Sequence, residues 1–346
     1  MNELDFPFPD APAPGAHVEL SPGVRWLRMP MPGSLNHINL YLLRCDGGWT
    51  AVDTGLGDGT TREHWEQVFV GSLDGEPIRR VLVTHLHPDH IGQAGWLCER
   101  WQVPLAMSRT EYYQARVFSQ PDARGPSWQA DAFYRGAGLL GEEYDALRER
   151  TQRGGGYAEM VTPLPPSYER LKEGDRLRLA ETDFTVRVGA GHSPEHVCLY
   201  SAERDLLVAG DQVLPSITSN VSVHANEPEA DPLSEWLASH ERFLELPDET
   251  LVLPAHGLPF RGLRRRLRDL VDHHEERMAL LRERCREPAT ARDGLDVLFR
   301  RELDDFQRMM ALGETIAHLH TLLARGDVTR RRDERGCWLF ETVADG

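Results

Sequence analysis

The chain lacks the usual marks of a membrane, secreted or nucleic-acid-binding protein. No apolar run in its 346 residues approaches the ~20 residues that span a bilayer. The N-terminus, MNELDFPFPDAPAPGA, is acidic and Pro-rich. It has neither the basic region nor the apolar stretch of a secretory leader, so a cytoplasmic protein is expected. Cysteine is scarce: Cys45, Cys98, Cys198, Cys285 and Cys337 are scattered, odd in number and form no C-x-x-C pair. That argues against a disulfide framework or a Cys-based zinc site and fits free thiols in a reducing compartment. Lysine is almost missing, with Lys172 alone; the bias towards Arg carries no functional reading. A basic excess is missing too. At a net charge of −16 the chain repels phosphates, which disfavours nucleic acid as a partner.

What is present is ordinary globular material, 40% hydrophobic and 27% charged, in a length that fits two domains. The acidity is uneven. Residues 261–346 hold 18 Arg against 17 Asp and Glu, a net of +1, which leaves −17 on the first 260 residues.

Residues 1–16 read as an extended arm. From His17 to Thr54 the stretches VELSPG, VRWLRMP, HINLYLLR and GWTAVDTG are strand-like, broken by Gly, Pro and Asn. TTREHWEQVFV reads as a helix, IRRVLVT as a buried strand, IGQAGWLCERWQ as a helix and VPLAMS as a strand. Residues 109–160, rich in Tyr, Arg, Glu and Gly, read as a helical insertion. Strand patterns resume in RLRLAETDFTVRVGAG, CLYSAERDLLVAGD and, after a helix near 233–245, ETLVLPAHG. Beyond Phe260 the pattern is helical through ALGETIAHLHTLLARGDVTRRR, with a terminal strand in CWLFETV. This divides the chain into a domain over 17–262 and a small winged-helix-like domain over 263–346.

The stretch VLVTHLHPDHIG places His85, His87, Asp89 and His90 directly after an apolar run. Alone it fits a metal site or a polar turn. Three more candidate donors stand where apolar runs meet Gly or Pro: His192 after FTVRVGAG, Asp211 after LLVAG and His256 after LVLPA. A catalytic zinc site needs imidazole and carboxylate donors with one position open, and rigid strand ends hold such donors well.

HLHPDH, followed by His192, Asp211 and His256 in that order, resembles the H-x-H-x-D-H signature and ligand order of the metallo-β-lactamase superfamily. The resemblance covers about residues 20–260 and implies an α/β fold, a four-layer αββα sandwich. It implies that His85, His87 and His192 bind a first metal and that Asp89, His90 and His256 bind a second. Asp211 would bridge them. Asp53, in TAVDTG, would orient a ligand histidine, although Asp-Thr-Gly is also an ordinary turn. Two zinc ions are implied, with iron or manganese as alternatives. The layout also resembles members with an appended winged-helix-like C-terminal domain.

The implied chemistry is hydrolysis by a metal-bridging hydroxide, with Asp89 taking and returning the proton. Asp211 at the bridging position resembles glyoxalase II-type thioesterases, lactonases and RNase Z-like nucleases more than drug-hydrolysing β-lactamases. The expected substrate is a small acyl compound, a thioester or lactone. Alternatives are a single-strand-directed endoribonuclease, which the charge opposes, and a mononuclear-iron sulfur dioxygenase. A DNA-binding regulator has only RRRLRDL and TRRRDER behind it, and their interleaved acids fit a solvated helix face. The C-terminal domain is expected to shape the cleft or to mediate a homodimer. Ser219, Asn220 and His224 follow Asp211 and could contact substrate, as could Asn36 and His37; each also fits a satisfied loop or turn. Tyr112, Tyr113, Trp128 and Tyr134 could wall a pocket or belong to a helical core.

Overall fold

A computed structural model describes residues 4–33, 35–120, 127–152 and 156–344 of the protein. Residues 1–3 of the expected arm, 121–126 and 153–155 of the expected insertion, and 345–346 lie outside the described residues.

The first sheet takes its strands in chain order: β1 (His17–Ser21), β2 (Val24–Pro30), β3 (His37–Cys45), β4 (Gly48–Val52), β5 (Ile78–Leu82), β6 (Leu105–Met107) and β7 (Glu169–Arg170). β1 to β4 pair antiparallel; from β4 onwards the pairs are parallel. The helices α1 (Gly59–Gly71), α2 (Pro88–Ile91), α3 (Ala94–Trp101) and α4 (Arg109–Phe118) supply its crossovers. α5 (Trp128–Gly136), α6 (Glu142–Gln152) and α7 (Tyr157–Met160) follow before β7. The second sheet has the order β12-β11-β10-β9-β8 from β8 (Arg176–Leu179), β9 (Thr182–Gly189), β10 (His196–Ser201), β11 (Leu206–Gly210) and β12 (Leu251–Pro254). Only its β11–β12 pair is parallel.

Strand periodicity explains the layering. Successive side chains on a strand point to opposite faces. In β3, Ile38, Leu40 and Leu42 therefore join a core with Trp65 of α1, Leu97 of α3 and Tyr112 of α4. Tyr41 and Leu43, one residue out of phase, join a second core with Phe184, Val197, Val208 and Leu253 of the other sheet. The helices thus pack on one face of the first sheet and the second sheet on its other face.

Two sequence expectations change here. RLRLAETDFTVRVGAG is not one strand; it is the β8–β9 hairpin, turned by Ala180 (φ +46°) and Glu181 (φ +64°). A two-residue type I′ turn needs both positive φ values and usually recruits Asn-Gly, so this turn carries no sequence signal. The expected arm is also pinned: Asp5 pairs its backbone with Arg261, and the Phe6 ring lies 6.4 Å from Phe260.

By compactness the chain forms two units. The first holds residues 1–123, 155–219 and 242–266; the second holds 124–154, 220–241 and 267–346. The second unit thus takes two earlier segments besides the chain beyond residue 266. The expected insertion divides, with α4 and α7 in the first unit and α5 and α6 in the second.

The second unit contains most of α8 (Pro232–Phe243) and α9 (Leu263–Arg284), then α10 (Ala291–Leu298), α11 (Asp305–Arg325) and the antiparallel pair β13 (Val328–Arg332) and β14 (Trp338–Thr342). Capping boxes open α10 (Thr290 and Asp293) and α11 (Asp304 and Gln307). Gly326, at φ +79°, closes α11. The Arg-rich VTRRR, expected to continue that helix, is therefore strand β13. Among the described residues, no helix is long and apolar enough to cross a membrane.

Candidate metal centre

The donors sit where strands end, because the chain there must leave the sheet and can turn polar side chains inward. After β5 the backbone runs through Thr84 and His85 to His87, and Pro88 opens the one-turn helix α2. Proline fits a first helical position, since its missing N–H would have no intrahelical partner. Asp89, His90 and Ile91 thus lie inside a helical turn, not in a turn ahead of a helix. His192 follows β9, Asp211 follows β11 and His256 follows β12.

Two groups of donor atoms form, each with all atoms within 4.8 Å of one another: His85, His87, His192 and Asp211, and Asp89, His90 and His256. In the first, His85 Nε2 lies 2.9 Å from His87 Nδ1 and 3.2 Å from His192 Nε2. Burial, reinforced by the neighbouring imidazoles, pushes His85 well below its ordinary pKa and His87 down to about 3. Both rings are therefore neutral, and nitrogen lone pairs converge on one point.

Asp211 reaches both groups, with Oδ2 3.3 Å from His192 Nε2 and Oδ1 3.5 Å from His256 Nε2. Asp89 Oδ2 lies 3.4 Å from His256 Nε2 and 3.6 Å from His90 Nε2. Burial opposes charge on His90 and His256. The carboxylates outweigh it, and both imidazoles stand above their ordinary pKa. His90 Nε2 and Asp211 Oδ1 are buried without a hydrogen-bond partner. Such orphaned atoms are rare in native interiors unless an ion or water takes them. Convergent neutral imidazoles, two carboxylates and two orphaned atoms fit a divalent cation bound through nitrogen and oxygen.

Asp53 accepts from the Thr84 backbone N–H at 2.7 Å, and its Oδ2 lies 2.8 Å from His90 Nδ1. This turns His90 Nε2 towards the donor group. His37 meets the His256 loop with both its backbone and its ring. Its carbonyl is 2.8 Å from His256 Nδ1, and its Nε2 accepts the Gly257 N–H at 2.9 Å. Its neighbour Asn36 takes a left-handed φ of +51° and puts Oδ1 2.7 Å from His37 Nδ1. The Ser219 hydroxyl donates to the Asp211 carbonyl. Asn220 donates to the Glu314 carboxylate within the second unit, where His224 is exposed. Tyr112 stacks on Tyr168 at 4.0 Å, and with the exposed Tyr113 they line an open groove of about 600 Å³. Trp128 and Tyr134 belong to the second unit.

Two residues escaped the sequence reading. Glu111, fully buried on α4, accepts the Leu86 N–H and the Glu195 N–H, both at 2.9 Å. It ties the His85–His87 loop to the His192 loop. His196 accepts the Asp211 N–H at 3.1 Å and stacks on His85 at 4.7 Å. Neither carries a local signal: one is a Glu in a polar helix and the other a His opening a strand.

An α/β arrangement of two mixed sheets with a buried His and Asp cluster at the strand ends defines a metallo-hydrolase of the metallo-β-lactamase type. The chain belongs to that superfamily: residues 33–256 match the Metallo-beta-lactamase superfamily profile, and residues 278–343 match a metallo-beta-lactamase-like C-terminal domain. The crystal structure of a beta-lactamase domain protein from Burkholderia ambifaria is 43% identical, with a TM-score of 0.90 over 98% of each chain. The probable metallo-hydrolase YqgX of Bacillus subtilis is 28% identical over 68% of this chain and 90% of its own length. Acyl-coenzyme A thioesterase MBLAC2 of Gallus gallus is 28% identical over 70% of this chain and 80% of its own length.

Proposed function

We propose that the protein hydrolyses a small acyl substrate, a thioester or lactone, at a two-metal centre. His85, His87 and His192 would hold one metal, Asp89, His90 and His256 the other, and Asp211 both. The observation that carries this is the single carboxylate of Asp211 standing within 3.5 Å of both donor groups. Zinc suits the donor set, with iron or manganese as alternatives. Bound metal supplies Lewis acidity and brings the pKa of water down to about 7.

The chain's own groups supply the rest. Asp89 is the most accessible carboxylate of the cluster, 15% exposed against 9% for Asp211 and 4% for Asp53. Burial would raise its pKa, but His90 and His256 hold it below the ordinary carboxylate range. It is therefore ionised, with Oδ2 against the imidazoles, and would take a proton from the attacking water and return it to the leaving thiol or alcohol. Asp53 fixes His90, and the His37 carbonyl fixes His256, so neither ring must reorient during reaction. The thioester reading draws further support from the likeness to acyl-coenzyme A thioesterase MBLAC2.

The test is metal analysis of purified protein followed by a panel of acyl thioesters, lactones and single-stranded RNA. About two zinc equivalents and turnover of acyl substrates are expected. One iron equivalent with oxygen consumption, or cleavage of RNA alone, would overturn the reading.

A further inference from the structure

We infer that each half of the centre has its own clamp, and that Arg28, Asn39 and Tyr41 set metal affinity at the Asp89, His90 and His256 half alone. The inference rests on the ligand assignment above.

β3 gives the first clue. Its face towards the second sheet carries Leu43, but also Asn39 and Tyr41, both almost fully buried. Apolar residues would pack there at no desolvation penalty, so buried polar groups at these positions need specific partners. The partners are carbonyls of the loop that carries His256. Asn39 Nδ2 donates to the carbonyls of Pro254 and Gly257, both at 2.9 Å. The Tyr41 hydroxyl donates to the Pro254 carbonyl at 2.8 Å. The Asn39 backbone N–H donates to the Ala255 carbonyl at 2.7 Å. Arg28, the cross-strand partner of Asn39, donates Nη2 to the Gly257 carbonyl at 2.8 Å and Nε to Asn39 Oδ1 at 3.1 Å. The carbonyls on both sides of His256 are thus fixed by β2 and β3. With Nδ1 against the His37 carbonyl, the ring is left to aim Nε2 at the donor group.

The other half is held differently. Glu111 reaches from α4 to the backbones of Leu86 and Glu195, beside His85, His87 and His192. The two clamps share no residue. Loosening one should release one metal and leave the other, whereas residues that only stabilise the fold would affect both alike.

The experiment measures metal stoichiometry, competition with a chelator, and absorption spectra of the cobalt-loaded protein. Wild type is compared with Asn39→Ala, Tyr41→Phe and Glu111→Gln, and with His256→Ala and His192→Ala as references for each emptied half. Asn39→Ala is expected to lose one of the two metals roughly 10–100-fold more readily to chelator, and its cobalt spectrum should match that of His256→Ala. Tyr41→Phe, which removes one hydrogen bond and keeps the ring, should shift the same way by less. Glu111→Gln should match His192→Ala. If Asn39→Ala weakens both metals equally, or neither, the clamp inference is overturned. If Asn39→Ala does not fold, Tyr41→Phe decides by the same spectra. A wild type that binds fewer than two metals overturns the ligand assignment itself, which separates the two failures.

Discussion

The molecule holds two groups of buried histidines; burial lowers the pKa in both, and carboxylates reverse it at two histidines of the first. In the first unit His85, His87, His90, His192 and His256 surround Asp89 and Asp211. In the second unit His240, His274 and His318 pack beside Trp236, whose ring lies 3.4 Å from His240 and 4.8 Å from His274. There the rings bond to each other and to backbone: His274 Nδ1 is 3.0 Å from His318 Nε2, and His318 Nδ1 is 2.7 Å from the Glu314 carbonyl. Burial takes His274 down to about 2 and His318 to about 4, so both are neutral packing groups. In the first unit the carboxylates reverse that effect at His90 and His256. An unpartnered nitrogen does not make the difference, because His274 Nε2 is buried without a partner as well. Convergence makes it. Among the described residues, groups of three or more donors that meet within 4.8 Å occur only around Asp89 and Asp211. Histidine density alone is thus a poor guide to a metal site; histidines interleaved with carboxylates are a good one.

The strongest way to break this comparison is to exchange the treatment of the two clusters. Asp211→Ala is expected to lower turnover of the best acyl substrate by at least about 10³-fold, as for loss of a central electrostatic group, and to lower metal content. His274→Leu should leave metal content and turnover near wild type while lowering the melting temperature. Loss of metal from His274→Leu would show that the second cluster also serves metal. A smaller effect sharpens the contrast. Asp53→Asn keeps size and tolerates the left-handed φ of +60° at this position, yet it removes the carboxylate facing His90 Nδ1. A loss of roughly 10–100-fold in metal affinity is expected, measured by chelator competition. An unchanged affinity would mean that His90 needs no orienting acceptor.

The donor set was legible because it is local. HLHPDH lies in one stretch, and His192, Asp211 and His256 each close an apolar run. The strand alternation of HINLYLLR was legible for the same reason. The unread part is what long-range contact decides. Glu111 touches residues 25 and 84 positions away, and Asn39 touches residues 215 and 218 positions away. Nothing near His37 in the sequence shows that Gly257, 220 positions on, donates to its ring nitrogen. The Ala180–Glu181 turn failed for the converse reason: its φ values are imposed by strand pairing, against residue preference. The separation of α5 and α6 from α4 follows contacts with no local signal, such as Arg292 bonding both carboxylate oxygens of Glu143.

The smallest expected effect concerns Glu314, the buried acid of the second unit. Burial, against the pull of Arg277 and the hydrogen bond from Asn220, raises it from 4.5 to about 7. In the folded chain it is a neutral acid at moderately low pH. Its contribution is fully present below about 4.5 and is lost as pH rises to about 7. His274 and His318 run the other way: their contribution is complete above 6.5 and is lost as pH falls towards their depressed values. The two histidines thus favour the fold above pH 6.5, and Glu314 favours it below about 4.5. Above pH 7 the ionised Glu314 costs roughly 3 kcal/mol, at 1.36 kcal/mol per pKa unit. Glu314→Gln removes that charge and keeps the shape. It should melt a few degrees above wild type at pH 8.5, with the gap closing towards pH 5, as read by thermal melts of both proteins across that range. An equal gap at the two pH values would mean that Glu314 does not titrate in the fold and that its cluster is held by packing alone.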